Sequence, residues 1–223
     1  MIGNHNKKTW IDRGALRYLK NEFDCETMID VGCGTKDQLK TALAIGYTEA
    51  IGVDGDEIML PDLVVDFNKN KIKTLKKFDL AWCVEVLPYI EEKNLDNVLP
   101  AFKNSRYIVA TATIWSNKEY PNANKRSWWS EKFESWGFEY DEETYKQIVE
   151  HSLMDRKAHQ TGNYTWLERT GMFFKNPELL SKPKPVKAEK KQEKKEEPKE
   201  FDSEIETQEV IETQDAIQDG GEF

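Results

Sequence analysis

The chain is short of the residues that hold metals. Three cysteines and three histidines are spread over 223 residues. Cys25, Cys33 and Cys83 show no CxxC spacing, and His5, His151 and His159 stand apart from them, which speaks against a structural zinc site. No apolar run reaches the roughly 18 residues a membrane helix needs, and no basic segment leads into an apolar stretch near the start. Neither a membrane span nor a secretory leader is expected, and unpaired cysteines suit a reducing cytoplasm. Basic charge is scarce as well. Residues 182–223 hold 8 Lys against 13 Asp and Glu, and the remainder holds 24 basic against 28 acidic residues, a net charge of −4. A surface that grips nucleic acid neutralises many phosphates, so nucleic acid is disfavoured as a partner.

What is present divides in two. Trp, Tyr, Phe, Val, Ile and Leu are abundant in residues 1–180, whereas residues 181–223 are almost wholly Lys, Glu, Gln, Asp, Pro and Thr. The first stretch reads as one domain and the second as a disordered tail that cannot bury a core. Residues 201–223 carry 8 acids and no Lys or Arg, so the tail either solubilises the chain or docks a basic protein partner.

Within the domain, Trp10, Ile11, Ala15, Leu16, Tyr18, Leu19 and Phe23 repeat at helical spacing, and Met28 to Val31 form an apolar run that stops at Gly32. The same alternation continues. Leu39 to Ile45 suggests a helix closed by Gly46, and Ala50 to Asp54 a strand. Short apolar runs at Leu63–Asp66, Phe78–Val84 and Tyr107–Ala112 read as strands buried on both faces, with a helix from Glu91 to Asn104 that Pro100 kinks or restarts. Farther on come a helix from Trp128 to Trp136, a short strand at Phe138–Tyr140, a helix over about 142–158 and a strand at Met172–Phe174. Strands alternating with helices predict an α/β fold around a mostly parallel sheet.

The turn Asp30-Val31-Gly32-Cys33-Gly34-Thr35 joins the first strand to a helix. Glycines there let the backbone turn tightly and bring a ligand close to main-chain N–H groups. This turn resembles the first motif of the class I S-adenosylmethionine-dependent methyltransferases, which reads acidic-x-Gly-x-Gly-x-Gly. Asp30, Gly32 and Gly34 match, and Lys36 replaces the third glycine. A nicotinamide fingerprint would want G-x-G-x-x-G, but Asp37 stands at its last position. The resemblance implies a Rossmann-like fold with a seven-stranded sheet, S-adenosyl-L-methionine as cofactor, and Asp30, Gly32, Cys33 and Gly34 around it.

About 20 residues after the turn, Asp54 ends the second strand, where a carboxylate can accept from both ribose hydroxyls. Asp56 could do this instead, or cap the next helix. Met59, Leu60 and Phe67 suit either an apolar wall to adenine or the core. The resemblance places Asp66 at the adenine amino group; otherwise it caps the next turn.

Phe78 to Ile90 resembles the family's fourth motif, often a hydrophobic strand followed by Glu-Val-x-Glu-His-Ile, until Pro88 and Tyr89. It implies that the backbone at Cys83 holds the methionine end of the cofactor, the Cys83 side chain being packed in the strand. Glu85 and Tyr89 would face the methyl acceptor. A phenol with a reference pKa near 10 is a poor base, so Tyr89 in place of the family's His argues against base-assisted O-methylation. Alignment alone can lower the barrier to in-line displacement by several kcal/mol.

Residues 120–138 resemble a subgroup in which a His-rich loop and an Asn precede a Tyr-Trp-x-Glu-x-Phe helix. The helix matches and the histidines do not, leaving Asn122 or Asn124 as the polar residue. Trp128, Trp129, Phe133 and Trp136 read as core, or one tryptophan borders an acceptor pocket. Lys125 and Arg126 bind an anion or are simply solvated, and Ser152 to Arg156 form a lid or a structural element. Together these features point to a methyltransferase acting on a small-molecule or sugar acceptor. A non-catalytic cofactor-binding scaffold is the alternative. Nucleic-acid modification is disfavoured by the acidic body and by the lack of an Asn/Asp-Pro-Pro-Tyr-like tetrapeptide.

Overall fold

A computed structural model describes residues 11–73, 76–114, 118–153 and 166–181. The acidic tail and residues 154–158 of the expected long helix lie outside the described residues.

Seven strands form one sheet: β1 (Thr27–Val31), β2 (Glu49–Asp54), β3 (Leu63–Val64), β4 (Phe78–Cys83), β5 (Ser105–Ala110), β6 (Glu139–Tyr140) and β7 (Met172–Lys175). Their order is β3-β2-β1-β4-β5-β7-β6. The pairs from β3 to β5 are parallel, while β7 runs antiparallel to both β5 and β6.

The helices are α1 (Arg13–Phe23), α2 (Asp37–Ala44), α3 (Leu99–Lys103), α4 (Arg126–Ser135), α5 (Glu142–His151), α6 (Trp166–Thr170) and α7 (Pro177–Leu180). Successive strand residues point to opposite faces, so each buried strand feeds two cores. One gathers Ile29, Val31, Ala81 and Ile108 with Phe102 of α3 and Trp129 and Phe133 of α4. The other gathers Met28, Leu80, Trp82 and Phe173 with Leu16 and Leu19 of α1, Leu39 of α2 and Ile148 of α5.

Caps set where the helices begin. The Asp12 carboxylate accepts from Ala15 N at 3.0 Å at the head of α1, and Asp141 does the same for Thr144 N at 2.9 Å at the head of α5. Asp12 also accepts from the Ser152 hydroxyl and from Leu153 N, which ties the end of α5 to the start of α1. Ser152 and Leu153 are thus structural; Met154 to Arg156 lie outside the described residues.

Three elements differ from expectation. The helix expected over about 142–158 is α5, which ends at His151 because Ser152 leaves the helix in an extended conformation. The run Leu63–Asp66 is a strand only at Leu63–Val64, and these side chains are 38% and 57% exposed rather than doubly buried. β3 is the sheet edge, and an apolar run alone does not distinguish an edge from a centre. The helix expected over 91–104 is a 3₁₀ segment, Glu92–Asn97, followed by α3 with Pro100 in its first turn. Proline lacks an N–H and fits only the start of a helix, so it restarts the segment.

Candidate functional site

The turn after β1 is made of backbone bonds. Gly32 N and Cys33 N both donate to Val53 O, at 2.7 and 3.1 Å, stitching the turn to the end of β2. Gly34 N donates to Asp54 Oδ2 at 2.9 Å, and Asp56 N donates to Asp54 Oδ1 at 2.9 Å. One carboxylate therefore holds both loops at the C-terminal edge of the sheet. The turn needs left-handed backbone at Gly32 (φ +80°), Gly34 (φ +48°) and Lys36 (φ +64°). A Cβ at position 32 would overlap the Val86 side chain. Lys36 occupies the third glycine position in the conformation a glycine would adopt. Its Nζ reaches Asp62 Oδ1 at 2.8 Å and Leu60 O at 3.2 Å.

Asp30 and Asp54 are both 3% exposed. Burial, and then the neighbouring charge of Asp54, push the Asp30 carboxyl up to about 8. Among the described residues no hydrogen bond to its side chain offsets the cost of its ionisation. A cation placed beside it would.

Other sequence-predicted positions fall into place around this turn. The Cys33 side chain is buried in the core, leaving only its backbone on the loop. Asp56 caps the 3₁₀ turn Glu57–Met59 through Ile58 N at 3.0 Å, the alternative role read for it. The Asp66 carboxylate pairs with Lys69 at 2.7 Å and accepts from Asn68 N at 3.0 Å, and both partners hold its pKa below the ordinary carboxylate range. It caps the turn that follows β3. Phe67 belongs to the core, whereas Leu60 is 77% exposed.

The second half of the site lies where β4 and β5 end. Cys83 is fully buried, and burial keeps its thiol protonated well above its ordinary range. Glu85 stands in the left-handed region at φ +58°. A double bond with Thr111 holds it there: Glu85 N donates to Thr111 Oγ1 at 2.8 Å, and that hydroxyl donates to Glu85 Oε1 at 2.8 Å. Burial raises the Glu85 carboxyl to about 7, against the opposing pull of the Thr111 bond and the charge of Arg169.

Tyr89 ends a 3₁₀ turn, Leu87–Tyr89, fastened by Asn68 Nδ2 donating to Tyr89 O at 2.9 Å. Its phenol donates to Tyr120 at 3.1 Å, and the rings meet edge to face at 4.8 Å. Burial, and then the Tyr120 bond, raise the Tyr89 phenol above its ordinary range, so it serves as a donor and not as a base. Sequence reasoning missed Thr111, Tyr120, Asn68 and Arg169. Thr111 lies inside an apolar run that signals only a strand, and the others carry no pattern at all.

A glycine turn after the first strand, an acid closing it from the second, and a mostly parallel seven-stranded sheet with helices on both faces are now in view. The fold is the Rossmann-like fold of the class I methyltransferases. No family model matches the chain and no curated protein is similar to it in sequence.

Solved structures are similar to it in fold at low identity. An S-adenosylmethionine-dependent methyltransferase from Mesorhizobium loti is 18% identical at a TM-score of 0.46, over 72% of this chain and 95% of that one. The plantazolicin methyltransferase BpumL, solved with a triazolic desmethylPZN analog and SAH, is 13% identical at a TM-score of 0.48, over 74% and 82%. For an S-adenosylmethionine-dependent methyltransferase from Clostridium acetobutylicum the identity is 17% and the TM-score 0.40. The match there covers 46% of this chain and only half of the relative's length (50%).

Among the described residues no group of His, Cys, Asp and Glu could hold a metal ion, and no helix is long and apolar enough to cross a membrane. Glu85 can take up a proton near neutral pH, and Tyr89 can donate a hydrogen bond.

Proposed function

We propose that the chain transfers the methyl group of S-adenosyl-L-methionine to a small-molecule acceptor. The observation that carries this reading is the turn of left-handed residues after β1, locked to β2 by the Asp54 carboxylate, with the unpartnered Asp30 carboxyl beside it. A buried acid with no hydrogen-bond partner among the described residues fits the cationic methionine end of that molecule. Gly32, Cys33 and Gly34 would line it through backbone, Asp54 would accept from the ribose hydroxyls, Asp66 would meet the adenine, and the backbone at Cys83 would flank the methionine. When bound, the cofactor supplies an electrophilic methyl on a sulfonium; the acceptor's lone pair forms the new bond to carbon as the carbon–sulfur bond breaks, leaving a neutral thioether.

The chain's own residues do the rest. Glu85, held near neutrality and fixed by Thr111, accepts the proton an N–H or O–H acceptor releases, while Tyr89 and Tyr120 orient that acceptor. The acidic balance of the body favours small molecules over nucleic acid as acceptors. A second reading, a protein that binds the cofactor without turnover, draws on Pro88 and Tyr89 standing where the family's fourth motif has Glu and His.

Calorimetric titration with S-adenosylmethionine, S-adenosylhomocysteine and NAD, repeated on Asp54→Ala, tests the assignment. Micromolar binding of both adenosyl ligands, silence toward NAD and a loss of at least tenfold in the variant are expected. A folded protein that binds none of them would overturn it, and binding without methyl uptake across an acceptor screen would favour the second reading.

A further inference from the structure

Asn68 joins two loops that the sheet keeps apart. It lies just past β3, and its side chain reaches the turn past β4, although β2 and β1 stand between those two strands. Asn68 Nδ2 donates to Tyr89 O at 2.9 Å, and Asn68 Oδ1 accepts from Glu91 N at 2.8 Å, with Asn94 Nδ2 a longer third partner at 3.4 Å. One planar amide pairs with the carbonyl before Ile90 and the N–H after it, as a neighbouring strand would. Turned over, it would set NH₂ against an N–H and oxygen against a carbonyl, so the partners fix its orientation. Ile90, and Phe67 beside Asn68, are buried in the same core, so the clamp closes over a filled interior.

The other end of Asn68 is held by Asp66. The Asn68 backbone N–H donates to Asp66 Oδ1 at 3.0 Å, the turn by which an aspartate fixes the residue two places on. Lys69 N and Asn70 N donate to Asp66 O at 2.9 and 2.8 Å, so one residue organises the whole turn. Across the loop Asn97 Nδ2 donates to Phe67 O at 2.9 Å. A continuous path of bonds therefore runs from the Asp66 carboxylate, through the backbone and amide of Asn68, to the Tyr89 carbonyl. The far side of the Tyr89 turn is tethered separately: Asn122 N donates to Pro88 O at 3.2 Å, and the Tyr89 phenol bonds Tyr120.

We propose that Asn68 is a positioning residue that sets the place of Tyr89 from the Asp66 loop, so that filling the adenine end of the cofactor site is felt at the acceptor end. The clamp stands on the bonds above. Its service to methyl transfer rests on the methyltransferase reading, in which Asp66 meets the adenine and Tyr89 the acceptor. The adenine amino group would donate to the carboxylate that orders Asn68, and a packed, hydrogen-bonded element passes a bias at one end to the other.

Full-length protein labelled with ¹³C on the tyrosine rings and ¹⁵N on the backbone is titrated with adenosine, which fills the adenine end and leaves the acceptor end empty. Tyr89→Phe assigns the Tyr89 ring signal. The Asp56 amide, which bonds Asp54 on the ribose side, reports occupancy. In the unaltered protein adenosine should shift both signals with one affinity. In Asn68→Ala and Asn68→Asp the Asp56 shift should persist with an affinity within about threefold, while the Tyr89 shift is lost. Asn68→Asp keeps the shape and the acceptor for Glu91 N but sets an oxygen against Tyr89 O, so it tests the clamp even if the alanine variant does not fold.

Three results would overturn the proposal: a Tyr89 signal that stays still while the Asp56 amide moves, a Tyr89 response intact in Asn68→Asp, or loss of the Asp56 response in both variants, which would make Asn68 part of the pocket. If neither adenosine nor S-adenosylhomocysteine moves the Asp56 amide of the unaltered protein, the methyltransferase reading falls and the coupling with it. The clamp is then judged on the ligand-free Tyr89 signal, which should be displaced in Asn68→Asp.

Discussion

The two halves of the site are built on opposite terms. At the glycine turn the work is done by backbone: Gly32, Cys33, Gly34 and Asp56 each spend their N–H on Val53 O or on Asp54, and the loops are locked before any ligand arrives. Only the Asp30 carboxyl is left over there. Past the ends of β4 and β5 the work is done by side chains drawn from distant segments, and the stretch 122–129 keeps three buried donors without a partner among the described residues. The first half is rigid and nearly complete as it stands. The second is finished only by what binds to it, which is how one fold can keep a cofactor constant while acceptors vary.

The sharpest way to break this contrast is Gly32→Ala. Left-handed backbone costs a non-glycine residue roughly 1–2 kcal/mol, and forcing a methyl into Val86 adds overpacking of about 1–3 kcal/mol. A loss of roughly 2–5 kcal/mol in urea unfolding is expected. Gly46→Ala is the control, since Gly46 has φ +97° but its nearest neighbour is the flexible end of Lys20 at 3.3 Å. Equal losses in the two variants would mean the turn is not tightly built.

A smaller effect comes from the buried acids. Asp30, pushed to about 8, and Glu85, to about 7, bind a proton more tightly in the fold than in the unfolded chain, whose carboxyls titrate near 4. Their stabilisation is complete below about pH 4 and is lost as pH rises through 7 to 8. Stability should therefore fall between pH 5 and 8, with Asp30 contributing the larger share and the partly exposed Glu85 the smaller. Asp30→Asn and Glu85→Gln should each flatten the slope, Asp30→Asn the more. A slope unchanged in both variants would show that these carboxyls ionise freely.

The same contrast decides what was legible in the sequence. The glycine turn could be read because its physics is local: residues permitted positive φ, a strand before, a helix after, and an acid about 20 residues on. Buried strands β1, β4 and β5 announced themselves as apolar runs. β3 announced itself in the same way, but its exposure was not legible, because that follows from its place at the edge of the sheet. The short α6 and α7 contain too few turns to show a period, yet α6 carries the Arg169 charge to Glu85. Thr111, Tyr120 and Arg126 matter only through partners 26, 31 and 19 residues away, and no spacing rule ties them together.

Lys36 tests whether the third glycine of the motif is a residue or a conformation. At φ +64° a lysine is strained by about 1 kcal/mol relative to glycine, and Lys36→Gly relieves that while making the unfolded chain more flexible. The substitution also removes the bonds from Nζ to Asp62 and Leu60 O, an exposed ion pair worth about 0–1 kcal/mol. Asp62 keeps its own hold on the sheet through Gly52 N at 2.7 Å. These contributions nearly cancel, so stability should change by less than about 1 kcal/mol and affinity for S-adenosylhomocysteine should stay within a factor of about three. Lys36→Ala, which loses the ion pair and keeps the strain, should be the less stable of the two. If Lys36→Ala matched or exceeded Lys36→Gly in urea unfolding, the left-handed backbone at this position would carry no cost, and the turn would owe its shape to its tethers to β2 and not to the conformational freedom of its residues.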